Sequence, residues 1–131
     1  MFVDASALTA ILTGESDARD LFERLQRGSP RLTSPMAVWE TVIAVARRRN
    51  MEVHDAEGAV EAFLTDFNIE VVAIPAEARR EAIRAHARYG KGRHPAALNF
   101  GDCFAYACAR HARSPLLYKG DDFSRTDIEA A

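Results

Sequence analysis

The sequence predicts an α/β protein: a central, mostly parallel sheet of four to five strands with helices on both faces. Three observations predict it. Short apolar or β-branched segments at residues 1–4, 31–33, 69–74 and 115–118 alternate with longer helical segments. Such alternation favours parallel pairing, because a parallel crossover needs a dozen or more residues. A chain of 131 residues, 48% of them hydrophobic, is enough for one core and therefore one domain, residues 1–131.

The elements follow in order. Residues 1–4 open with a strand that Asp4 closes. Ser6 is a candidate cap for a short helix through Leu12, ending near Gly14. Residues 17–26 form an amphipathic helix with Leu21, Phe22 and Leu25 on one face and Gly28 as its stop. After the brief strand 31–33, Ser34-Pro35 is a strong helix start, a capping hydroxyl followed by proline at the first position. That helix should run to about Arg48 and bury Val38, Trp39, Val42 and Ala46. Residues 55–67 form the next helix, with Ala59, Val60, Phe63 and Leu64 inward, before the β-branched strand 69–74. Pro75 should start a long helix to about Arg88, punctuated by Tyr89-Gly90. Residues 90–95 read as a flexible basic loop. Residues 99–113 form a helix with Phe104, Ala105, Cys108 and Ala109 at core spacing, and a turn or short helix near 122–127 follows the last strand.

Bulk properties narrow the function. No long apolar run predicts a membrane span, and Asp4 interrupts the apolar start before it could act as a signal peptide, so a cytoplasmic location is expected. Cys103 and Cys108 lie about 140° apart around a helix, which disfavours a disulfide or a shared metal and reads as two buried thiols. The net charge is only −2, yet basic residues crowd two regions: Arg79, Arg80, Arg84, Arg88, Lys91 and Arg93, with His86 and His94 among them, and Arg47, Arg48 and Arg49. Either run could be a solvated helix face, or a basic surface masked in the total by acids gathered elsewhere. No Walker-type glycine loop and no zinc spacing of Cys and His is present.

The acids carry the chemistry. Asp4 ends the first strand, Glu40 lies at the margin of a helical apolar face, Asp102 opens a helix, and Asp121-Asp122 follow the last strand. Each has a plain alternative: a turn residue or cap for Asp4, an exposed helical glutamate for Glu40, a dipole-favoured first-turn acid for Asp102, turn residues for the doublet. Open α/β sheets, however, bind ligands beyond the carboxyl ends of their strands. On such a sheet these acids would share one rim, where a hard divalent cation offsets their repulsion. Gly101 would permit close approach beside Asp102, and Ser6 could bond a ligating carboxylate instead of capping.

Four segments then resemble a known family. They are Phe2-Val3-Asp4-Ala5-Ser6-Ala7-Leu8; Ser34-Pro35-Met36-Ala37-Val38-Trp39-Glu40-Thr41; Tyr89-Gly90-Lys91-Gly92-Arg93-His94 with Leu98-Asn99-Phe100-Gly101-Asp102-Cys103-Phe104-Ala105-Tyr106; and Pro115-Leu116-Leu117-Tyr118-Lys119-Gly120-Asp121-Asp122-Phe123 onward to Ile128. Together they span the chain and resemble PIN-domain ribonucleases, more narrowly the VapC-type toxins of type II toxin–antitoxin systems. The resemblance implies a PIN-like fold and a Mg²⁺-dependent endoribonuclease, with Mn²⁺ able to substitute. It also implies a homodimer silenced by a VapB-type antitoxin. Asp4 and Asp102 match the principal metal ligands, and Glu40 the third acid. Asp122 matches the fourth in Lys-Gly-x-Asp-Phe, with Asp121 the alternative. Lys91, Arg93 and Arg47 would contact RNA phosphates. The one departure is Tyr118, where phenylalanine is expected.

Two other readings are weighed. A catalytically weak PIN-like module that grips RNA or a partner would be marked by a missing acid, and none is missing. A phosphatase using an aspartyl nucleophile needs a second aspartate two residues after Asp4, where Ser6 stands.

Overall fold

A computed structural model describes residues 1–131. Four strands, β1 (Phe2–Val3), β2 (Arg31–Thr33), β3 (Ile69–Val71) and β4 (Leu116–Leu117), form one sheet in the order β3-β2-β1-β4. Every pair is parallel, with Phe2 beside both Leu32 and Leu116, and Leu32 beside Glu70. The crossovers are helical: α1 (Ala5–Thr13) and α2 (Ala18–Arg27) join β1 to β2, α3 (Pro35–Arg49) and α4 (Val53–Asp66) join β2 to β3, and α5 (Ala78–Tyr89) and α6 (Phe100–His111) join β3 to β4. None of these helices is long and apolar enough to cross a membrane.

Side chains alternate across a strand, so the short strands divide two cores between them. Phe2 and Leu116 pack with α5 and α6, through Ala82, Ala85, Tyr106 and Ala109. Val3 and Leu117 pack with α1–α4, through Leu8, Leu25, Val45 and Val60. The chain leaves β1 toward β2 and β3 along one face and returns along the other to β4. The switch point of the sheet therefore lies between β1 and β4, where ligands of open α/β sheets bind.

The structure corrects several element readings. Strand β3 stops at Val71, not Ile74, because β2 offers no partner beyond Thr33, whose carbonyl takes a last bond from Val72 N–H at 2.9 Å. Helix α5 begins at Ala78, since Pro75–Glu77 form a turn closed by Ala78 N–H on Pro75 O at 3.0 Å. Trp39 is 64% exposed instead of buried, and Thr41 and Val45 take its place inside α3. The 90–95 loop is pinned, with Lys91 N–H donating to Leu98 O, and Arg93 and His94 N–H to Gly90 O.

Candidate active site

Asp4 stands where β1 ends. Its N–H donates to Leu117 O at 2.9 Å, carrying the β1–β4 ladder one residue further, while its carbonyl accepts the first α1 bond from Leu8. Asp4 Oδ2 accepts from Ser6 N–H at 2.9 Å and from Ser6 Oγ–H at 2.5 Å. Asp4, not Ser6, is therefore the N-cap of α1. Ser6 Oγ also accepts from Lys119 N–H at 3.0 Å, which ties the ends of neighbouring strands together. Both Ser6 contacts fall on Oδ2, so Oδ1 keeps lone-pair capacity for a cation.

Asp102 lies in the first turn of α6. Its N–H donates to Asn99 Oδ1 and its Oδ2 accepts from Asn99 N–H, each at 2.9 Å, forming a reciprocal cap. Glu40 reaches the same place from α3, with its carboxylate lying over Gly101. A β-carbon at Gly101 would collide with that carboxylate, so glycine is what lets α3 and α6 bring their acids together. Asp122 is exposed and precedes Phe123, which is 2% exposed and anchors the turn after β4. Asp121 is exposed as well, and its carbonyl accepts from Ser124 Oγ–H.

Burial, and for Glu40 and Asp102 also the nearness of other acids, shifts the protonation of three of these groups. Burial raises the pKa of Asp4 above the ordinary carboxylate value, and the Ser6 bonds offset only part of this. Burial, then the charges of Asp4 and Asp102, raise Glu40 to about 7. Burial raises Asp102 to about 6; the Asn99 bond opposes this, and the charges of Asp4 and Asp122 add to it. Asp4, Glu40, Asp102 and Asp122 thus form one electrostatic unit, whereas Asp121 is not among the charges acting on Asp102. No three of them stand in closed coordination geometry. Acidic oxygens are the donors that Mg²⁺ and Mn²⁺ prefer, so the residues present fit such a cation.

Comparison with known proteins decides the family. A family model described as the PIN domain matches residues 1–129. The chain belongs to the PIN-domain family. A VapC ribonuclease of Mycobacterium bovis is 41% identical over 133 residues, covering 100% of this PIN domain and 98% of its own length. A VapC ribonuclease of Rhizobium meliloti is 39% identical, covering 97% of this PIN domain and 98% of itself. Among solved structures, Mycobacterium tuberculosis VapC20, a toxin described as cleaving the sarcin-ricin loop, superposes with a TM-score of 0.75. Its identity is 21%, and the match covers 99% of this PIN domain and 97% of that chain, so it speaks for the fold.

The basic residues of the PIN domain divide sharply. Arg48 pairs with Glu15, Arg84 with Glu81, and Arg88 with Asp127. Lys91, Arg93 and Arg47 are exposed and make no ion pair. Arg47 lies seven residues after Glu40 on α3, roughly two turns and about 20° around the helix. The structure thus gathers the acids at one rim but leaves Arg47 well along the helix from it. Two participants escaped the sequence reading. Asn99 was legible in principle, since Asn-x-x-Asp has the spacing of a reciprocal cap. Lys119 was not, because its bond to Ser6 spans 113 residues.

Proposed function

We propose that this PIN domain is the toxin of a type II toxin–antitoxin system, an endoribonuclease that hydrolyses RNA phosphodiester bonds with Mg²⁺ or Mn²⁺. The observation that carries this reading is the rim itself: carboxylates from β1, α3, α6 and the end of β4, with burial raising Asp4, Glu40 and Asp102 and repulsion from neighbouring acids adding to the last two. Curated relatives named VapC ribonuclease, alike over nearly their whole length, support the same activity.

Asp4 and Asp102 would hold the cation directly, with Glu40 and Asp122 contributing directly or through water. When bound, the cation offsets the negative charge that builds on the scissile phosphate. Ser6 keeps Asp4 in one orientation through two bonds, and Asn99 does the same for Asp102. Lys91 and Arg93 would draw the RNA backbone in by its phosphates, and Arg47 would add to that pull at longer range. The ring change at Tyr118 leaves its packing on Phe123 intact, with centroids 5.1 Å apart, so it supports the same turn.

The same negative rim suits an antitoxin that inserts a basic side chain, since a guanidinium fork pairs bidentately with carboxylates. Trp39, Ile43, Val53 and Val71 are exposed along α3, α4 and β3, an apolar face of the kind that an antitoxin or a homodimer partner buries. The deciding experiment is cleavage of single-stranded RNA by purified protein. EDTA should abolish it, and Mg²⁺ or Mn²⁺ should restore it. Full cleavage by demonstrably metal-free protein would overturn the mechanism.

A further inference from the structure

We propose that the groove between α5 and α6 holds an unstacked base of the RNA, next to the nucleotide being cut; this rests on the ribonuclease reading above. The groove encloses about 600 Å³, within the range of small-ligand sites. Its floor is apolar and aromatic. Ile83 and Phe100 are 68% and 71% exposed, and Phe104 stands beside Phe100 with ring centroids 5.1 Å apart. Two cations, Arg79 and Lys91, line its rim beside His86, and no acid does. None of the three has a carboxylate partner.

Location links the groove to the acids. Phe100 immediately precedes Gly101, against which Glu40 lies, and Asp102, so the groove's floor and the acidic rim share the first turn of α6. Proteins that hold single-stranded nucleic acid combine aromatic platforms with positive charge along the backbone path. The groove beside α3 lacks the second feature. It is lined by Trp39, Ile43 and Val71 but carries Glu57 and Glu61, which repel phosphate.

The test uses a fluorescein-labelled single-stranded RNA of mixed sequence, about 12 nucleotides long, a size within known single-strand sites. Binding is measured on the Asp4→Asn protein, so that cleavage does not interfere. Phe100→Ala and Ile83→Ser should each weaken binding, Phe100→Ala by roughly tenfold, while Phe100→Trp retains it. Replacing one base beside the cut with an abasic residue should cost the parent a similar factor and the F100A protein almost nothing. RNA affinity unchanged in both the Phe100→Ala and Ile83→Ser proteins would overturn the proposal. So would affinity that holds while sedimentation shows a dimer dissolving, since the groove would then be a contact between copies. Wild-type protein assayed in Mg²⁺ separates the two claims. Cleavage without any Phe100 effect sinks the base site alone, and a Phe100 effect without any cleavage sinks the ribonuclease reading alone.

Discussion

Three helices start at the carboxyl edge of the sheet, and they do not start alike. Helix α3 begins on Ser34, whose Oγ accepts from Ala37 N–H at 3.1 Å; Ser34 is 4% exposed and uncharged. Helices α1 and α6 begin with carboxylates, Asp4 as cap and Asp102 in a reciprocal cap with Asn99. For capping alone, a hydroxyl or amide does as well as a carboxylate. Capping therefore explains why a polar residue stands at each start, but not why two of the three are acids within reach of each other, Asp4 buried and Asp102 half-buried. Ser34 answers a local need, whereas Asp4 and Asp102 meet that need and retain charge that the fold makes costly. A cost of that kind at a sheet switch point marks function.

The strongest way to break this contrast is to remove charge while keeping shape. Asp4→Asn and Asp102→Asn should each abolish toxicity on expression and RNA cleavage in Mg²⁺. Both should stay folded, because an amide oxygen can still cap. Melting in chelator should be unchanged or higher, since each change deletes a charge that burial disfavours. Growth arrest by either variant at equal expression would remove that residue from the ligand set.

The doublet after β4 sharpens the comparison within a single turn. Asp122 adds its charge to Asp102 and precedes the buried Phe123, while Asp121 follows Gly120, whose φ of 89° suits glycine. Asp122→Ala should slow cleavage by one to two orders of magnitude, on the order of 1.4–2.8 kcal/mol of barrier. Asp121→Ala should stay within a few-fold of wild type. Rates on one RNA at saturating Mg²⁺ decide it, and the reverse order moves the fourth acid to Asp121.

Stability against pH tests the cost of the half-buried acids without any assay of activity. Glu40 and Asp102 have folded values of about 7 and about 6, above their ordinary 4.5 and 3.8. Between those limits the folded protein holds protons that the unfolded chain has released. Stability should therefore fall as pH rises from about 4 to about 7. Melting temperatures in chelator should show that decline, and saturating Mg²⁺ should flatten it. A melting temperature that rose steadily over this window in chelator would contradict the cost that burial and repulsion place on these acids.

Local features were legible in the sequence, and long-range ones were not. Ser34-Pro35 starts α3 at the expected residue because capping and proline chemistry act within one turn. Trp39 misled because apolar residues at helical spacing read as core, yet nothing local reveals that α3 leaves this face uncovered. Asp4 and Ser6 are both able to cap. The choice falls to Asp4 because β1 ends there, held by a bond to Leu117 across the sheet. The acids could be named one at a time, Asp4 from its strand and Asp102 from its helix start. Their closeness depends on strand order and on Gly101 admitting Glu40, a contact 61 positions apart in the chain.

Ser34 supplies the smallest expected effect and the control for the rest. Ser34→Ala leaves Ala37 N–H without its acceptor in a buried setting. The loss should be about 1 kcal/mol, or roughly 3–6 °C in melting temperature for a domain of this size. Because no charge is involved, the loss should be the same across pH and with or without Mg²⁺. Cleavage at a temperature where the variant is folded should stay near wild type, since α3 keeps its axis and Glu40 its place over Gly101. A Ser34→Ala loss that grew with pH, or vanished in Mg²⁺, would place Ser34 in the same electrostatic unit as Asp4 and Asp102. The contrast between the neutral and the charged helix starts would then no longer separate structure from function.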